Sequence, residues 1–114
     1  MDDNKTTLGI PENIEAALCY LFGWLSGVLF LVLEKQNSFV RFHAMQSLTT
    51  FLGLFILSVL AQFIPLIGSM LAILIAPVSI ILWLFLTYKA YFGEKYKLPI
   101  IGDWAEEQLT NYLT

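Results

Sequence analysis

Residues 44–88 form a run of 45 residues without a single charge or histidine, and this run limits the fold more than any other feature of the chain. As one helix at ~1.5 Å per residue it would be about twice as long as a ~30 Å hydrocarbon core is thick, so two membrane spans fit it better than one. Pro65 and Gly68 punctuate it where a turn would fall. Proline has no N–H to donate and disfavours a helical residue before it, so a helix running on through residues 64–68 is not expected. A second uncharged run, residues 16–33, holds 18 residues. The composition agrees: 58% of residues are hydrophobic and 13% charged, against roughly 45–50% and about 25% in soluble domains. With 6 Lys+Arg and 9 Asp+Glu in 114 residues, the chain cannot cover a small globule with polar groups. A soluble enzyme, a disordered segment and a disulfide scaffold are all excluded.

The expected fold class is therefore all-α, a transmembrane bundle of three spans (about 14–33, 42–64 and 66–88) followed by a short C-terminal interfacial helix. Residues 1–114 read as one integral membrane domain, with a tail at 1–12, a membrane bundle at 13–92 and a cytoplasmic tail at 93–114. Pro11, Glu12 and Glu15 suit the start of the first helix, and Asn37 or Ser38 can cap the second. Pro77, inside the third, should kink it. In the tail, Asp103 and Glu106 resemble a capping box, and Trp104, Ala105, Leu109, Tyr112 and Leu113 share a helical face. An interfacial helix and a frayed tail both remain open at this length.

Three spans put the N-terminal tail and the Pro65 turn on one side, with Lys5 alone. The other side holds Lys35, Arg41, Lys89, Lys95 and Lys97. The positive-inside rule then places the N-terminus outside and the C-terminus in the cytoplasm, in a cell (inner) membrane. The amino terminus lacks a basic n-region and is expected to be retained. A net charge of −3 leaves no basic stripe for nucleic acid. The lone Cys19 can form no internal disulfide and reads as a packing residue.

Small residues supply the first motif. Gly23 and Gly27 form a GxxxG that Cys19 extends to a ridge at i, i+4, i+8; Gly68, Ala72 and Ala76 form a matching ridge on the third span. Both are expected to be helix-packing surfaces. The second motif is a polar stripe, His43, Gln46, Ser47 and Thr50, which recurs at i, i+3, i+4 and i+7. Polar groups entering hydrocarbon should turn toward protein or water. The stripe can serve as a proton or solute relay, or as a structural contact to neighbouring carbonyls. Arg41 should snorkel to lipid phosphates or the Glu34 carboxylate, and Glu34-Lys35 reads as a solvated turn. There is no Ser/His/Asp set, paired carboxylate or metal-ligand cluster. No catalytic, cofactor or metal site is expected, and no cofactor.

Residues 17–27 (Ala-Leu-Cys-Tyr-Leu-Phe-Gly-Trp-Leu-Ser-Gly), Glu34-Lys35, residues 39–47 (Phe-Val-Arg-Phe-His-Ala-Met-Gln-Ser) and residues 97–103 (Lys-Leu-Pro-Ile-Ile-Gly-Asp) carry a resemblance. The chain resembles a family of small prokaryotic multi-pass membrane proteins of unknown function, grouped with the twenty-kilodalton subunit of the chloroplast Tic translocon. The resemblance implies a membrane address and no enzymatic activity. Two functions follow as expectations: a scaffold or translocon-like subunit acting through helix–helix contacts, or an oligomeric small-solute or ion pathway along His43–Thr50. The expected partners are the lipid bilayer and further copies or other membrane proteins.

Overall fold

The computed structural model describes residues 5–112, with side chains to residue 111. Among these residues the fold is all-α, with five helices: α1 (Glu12–Leu18), α2 (Trp24–Leu33), α3 (Ser38–Ala61), α4 (Ile67–Tyr91) and α5 (Ile101–Tyr112). Only α3 and α4 are both long and apolar enough to cross a membrane. At ~1.5 Å per residue, 24 and 25 residues give about 36 and 38 Å. They form a hairpin that turns at Pro65.

The expected first span, 14–33, is not a span. It breaks at residues 19–23 into α1 and α2, of 7 and 10 residues, which cover only about 10 and 15 Å. The partners show a reversal. At the start of α1, Glu12 Oε1 accepts from Asn37 Nδ2 at 2.8 Å, beside the first turn of α3. Deeper down, Ser47 Oγ donates to the Gly23 carbonyl at 2.9 Å, and Trp24 lies 6.1 Å from Phe55 between ring centroids. Back at the top, Arg41 Nη1 donates to the Leu31 carbonyl at 3.1 Å. The segment enters, turns and returns to the side it came from. Consequently residues 5–11, the 34–37 turn and the C-terminal segment all lie at one end of the molecule. The three-span count gives way to two candidate spans, and residues 5–11 lie at the same end as the C-terminal segment instead of at the opposite one.

A reversal at membrane depth leaves carbonyls without helical partners, which hydrocarbon does not tolerate. Three of the carbonyls in this turn find a side chain. Ser26 Oγ donates toward the Cys19 and Gly23 carbonyls at 2.9 and 3.1 Å. Trp83 Nε1, from α4, donates to the Tyr20 carbonyl at 2.5 Å. Gly23 caps α2 at φ 63°, a backbone region where a side chain is strained. The expected Cys19–Gly23–Gly27 ridge therefore does not exist as one helical face, because the helix ends between its members. Gly27 alone packs closely. A Cβ there would meet the Ala44 carbonyl at 2.8 Å and the Leu48 amide at 2.9 Å.

The Pro65 turn uses a device that occurs twice. Leu66, at φ 67°, lets the Ile67 amide bond the Pro65 carbonyl at 2.7 Å, and the Gly68 amide then bonds the Ile64 carbonyl at 2.9 Å. Ile100, at φ 69°, repeats the pattern before α5: Ile101 to Pro99 at 2.7 Å and Gly102 to Leu98 at 2.8 Å. This is a γ-turn with a helix start built on it. The glycine is needed in both, since a Cβ on Gly68 would lie 1.9 Å from the Ala61 carbonyl and one on Gly102 2.5 Å from Lys97. The sequences, Ile64-Pro65-Leu66-Ile67-Gly68 and Leu98-Pro99-Ile100-Ile101-Gly102, form a short internal repeat that composition conceals. Of the second expected ridge, Gly68 is buried in this turn, whereas Ala72 and Ala76 are exposed. α4 continues through Pro77 as one helix.

Candidate functional site

Most of the buried polar groups collect at the end of the molecule that holds residues 5–11 and the C-terminal segment, and they form two connected sets. The first is centred on the His43–Thr50 stripe, where α3 meets the loop of residues 93–100. His43 Nε2 bonds the Glu94 carbonyl at 3.0 Å, which places the proton on Nε2 and leaves Nδ1 to accept from the Tyr20 hydroxyl at 2.7 Å. Gln46 Nε2 donates to the Tyr20 hydroxyl at 3.1 Å and to the Tyr96 carbonyl at 2.9 Å, while its Oε1 accepts from the Leu98 amide at 2.9 Å. Gln46 thus grips the loop as a neighbouring β-strand would, by one carbonyl and one amide. Rings of Tyr20, Phe39 and Phe42 stand edge-on around the imidazole at 5.5, 4.7 and 5.4 Å between centroids.

His43, Gln46 and Ser47 are wholly buried and Thr50 nearly so. Ser47 turns to Gly23 rather than to the loop. The Thr50 hydroxyl has no hydrogen-bond partner among the described residues. The structure joins His43 and Gln46 in one network, sends Ser47 to the re-entrant turn and leaves Thr50 outside both. Among the described residues each polar atom of His43 and Gln46 is spent on the chain itself.

The second set corrects the expectation of a solvated Glu34-Lys35 turn. Glu34 is wholly buried. Its carboxylate accepts from the Thr7 amide at 2.8 and 3.0 Å, from the Gln36 amide at 3.1 Å and from the Asn37 amide at 3.0 Å. Burial works against the charge, but the Thr7 amide, the neighbouring Glu15 carboxyl, the Thr7 hydroxyl and the Asn37 amide together prevail and hold the carboxyl at about 2, below its ordinary value. Thr7 Oγ1 in turn accepts from the Lys35 and Gln36 amides at 2.9 and 3.2 Å. Asn37 caps α3 through Val40 at 2.9 Å and donates to the Lys5 carbonyl at 2.9 Å. Glu15 is buried beside Glu34, and its carboxyl oxygens accept no donor among the described residues. Arg41 Nη1 donates to the backbone carbonyl of Glu34 at 2.6 Å.

α5 closes this end. Ala105 and Leu109 pack against Phe42 and Met45 of α3. Asp103 lies within its first turn rather than at its cap. Glu106 instead binds Lys95, and Lys97 at 2.5 Å, which hold its carboxyl down to about 2. The Tyr112 side chain and Leu113 lie outside the described residues. The residues that sequence reasoning passed over are Thr7, Glu15, Tyr20, Ser26, Asn37 as a bridge to Lys5, and Trp83. A polar residue inside an apolar run was the available signal for Tyr20, Ser26 and Trp83. The Thr7–Glu34 contact has no local signal.

No group of three or more His, Cys, Asp or Glu side chains among the described residues is placed to hold a metal ion. The sequence profile of the family described as magnetosome magnetite crystal formation proteins (MamF/MmsF) matches residues 11–105. The chain belongs to that family. A UPF0132 membrane protein of Methanocaldococcus jannaschii is 56% identical over 103 residues, covering 90% of this chain and 93% of that protein. A second from the same organism is 47% identical over 106 residues, covering 93% and 76%. One from Archaeoglobus fulgidus is 49% identical over 100 residues, covering 88% and 97%. No solved structure matches significantly. With relatives named membrane proteins and two apolar helices of spanning length, this family member is a membrane protein.

Proposed function

We propose that the chain is a non-enzymatic scaffold of the cell membrane, with both ends in the cytoplasm and with the α3–α4 hairpin as its contact surface for other membrane-embedded helices. A translocon-like subunit, as the Tic resemblance implies, is one form of such a scaffold. The observation that carries the reading is the contrast between spent polar groups and an uncovered apolar hairpin. The His43–Gln46 network is closed on the chain itself, whereas Ala72 and Ala76 stay exposed on α4, four residues apart on one face. Small residues so spaced let another helix approach closely. The orientation follows from charge: Lys5, Lys35, Arg41, Lys89, Lys95 and Lys97 belong to the same end, and residues 62–66 at the other end carry none. The positive-inside rule assigns that end to the cytoplasm.

One experiment tests both parts in native membranes. Single cysteines at positions 72, 76 and 74 are introduced in a Cys19→Ala background and oxidised. Cross-linked products at 72 and 76 but not at 74 are expected, with green fluorescent protein bright at either terminus. A monomer at all three positions would overturn the scaffold, and active alkaline phosphatase fused at either end would overturn the orientation.

A further inference from the structure

We infer that Glu15 and Glu34 form a one-proton latch: while they share a proton they hold residues 5–11 against the α2–α3 turn, and its loss releases that segment. Both side chains are wholly buried, Glu15 in the first turn of α1 and Glu34 at the end of α2. Glu34 is well supplied with donors. Its Oε2 accepts from the Thr7, Gln36 and Asn37 amides at 2.8, 3.1 and 3.0 Å, and its Oε1 from the Thr7 amide alone, at 3.0 Å. Glu15 lies beside it, and neither of its carboxyl oxygens accepts a donor among the described residues. Burial and a like charge both disfavour a second carboxylate in such a place. With the donors all on Glu34, Glu34 keeps the charge and Glu15 keeps the proton. A carboxylate offers about four lone pairs, so Oε1 of Glu34 has room for the Glu15 O–H.

The surrounding elements supply no cation in place of the proton. α1 adds Glu12, bound to Asn37, and Cys19, whose thiol burial pushes up. Residues 5–11 carry Lys5 and the α2–α3 turn carries Lys35, both exposed. α3 contributes Arg41, which holds the Leu31 and Glu34 carbonyls, and the last turn of α4 contributes Lys89, paired with Glu94 at 2.9 Å. None of them forms an ion pair with Glu15 among the described residues. Burial, then the hydrogen bond and charge of Glu34, push the Glu15 carboxyl up to about 8. Residues 5–11 cover the pair: the Thr7 amide sits on Glu34, and Thr6, beside Glu15, donates to the Ile10 carbonyl at 2.8 Å. When hydroxide takes the Glu15 proton, two like charges face each other, and lifting residues 5–11 away lets water solvate them. In the open state Glu15 returns to its ordinary 4.5, so the closed form loses its advantage as pH rises from 4.5 to about 8.

The test uses the full chain in mild detergent and reads hydrogen exchange of the Thr7 amide, corrected for the intrinsic rate, from about pH 6 to about pH 9. Its protection should fall more than about tenfold across that range. Amides of residues 51–60 in α3 should keep theirs, which separates release of the segment from loss of the fold. Glu15→Gln keeps the shape, has no proton to lose and can still donate to Glu34, so its Thr7 protection should stay level. Infrared absorption of the wild type gives a second readout that needs no variant: a protonated-carboxyl C=O band present near about pH 6 and gone near about pH 9. Level Thr7 protection in the wild type, an equal fall in Glu15→Gln, or an infrared spectrum without that band at the lower pH would overturn the latch.

Discussion

The two halves of α3 live in different solvents. From Val40 to Ser47 nearly every residue is buried against α1, α2, the 93–100 loop or α5; from Phe55 to Leu60 nearly every residue is bare. α4 repeats the contrast in reverse, with Leu86 and Ala90 wholly buried near its end while Ile73 is 71% exposed and Leu66, just before the helix, 84%. At the charged end the protein supplies its own interior, made of hydrogen bonds with fixed partners. At the other end lipid is the solvent, so side chains need only be apolar. Specific shape should therefore matter at one end and composition at the other.

The largest effect should come from Gly27→Leu, whose side chain must enter space held by the Ala44 carbonyl and Leu48 amide. Backbone cannot yield as a side chain can, and a loss of about 3 kcal/mol is expected in detergent unfolding. Tolerance of this change would mean that α2 is not seated on α3. Gln46→Leu should follow at about 2 kcal/mol, since it leaves the Leu98 amide and Tyr96 carbonyl without their partner. Faster hydrogen exchange at residues 94–98 should accompany it. If exchange there is unchanged, the loop is held by something else.

Acid should separate the halves next. Glu34 has a folded value near 2 against an ordinary 4.5, so its contribution is complete above about pH 5 and is lost as pH falls through 4.5 toward 2. About 1–2 kcal/mol should disappear over that window, and Glu34→Gln should shrink the loss, leaving the smaller part that the partly exposed Glu106, also held near 2, contributes. A wild-type profile already flat there would remove the carboxylate from the account. The smallest effect belongs to the bare half: Ile81→Ala, at a residue 66% exposed, should change stability by less than about 0.5 kcal/mol. A loss near that of Gln46→Leu would place Ile81 in a protein contact and sharpen the case for a partner on α4.

Much of this contrast is visible in the residues. The α3–α4 hairpin and its Pro65 turn follow from 45 uncharged residues interrupted by proline, and helix ends fell within a few residues of expectation. The stripe was legible as a face, because i, i+3, i+4 and i+7 is a local property of a helix. Its partners were not. Two of them, Glu94 and Tyr96, contribute backbone carbonyls, and every residue has one.

The sequence by itself determined that this chain is helical and lives in a membrane, since hydropathy and charge spacing are sums over neighbouring residues and survive any arrangement of the helices. Only the tertiary structure decided that residues 14–33 turn back instead of crossing. An apolar run of 18 residues is compatible with either course. Which one it takes depends on whether carbonyls released at residues 19–23 can be bonded in mid-membrane, and Ser47 and Trp83 do that from 24 and 63 residues away. The same distant contacts, together with Thr7 on Glu34, bring residues 5–11 and the C-terminal segment to one end of the molecule.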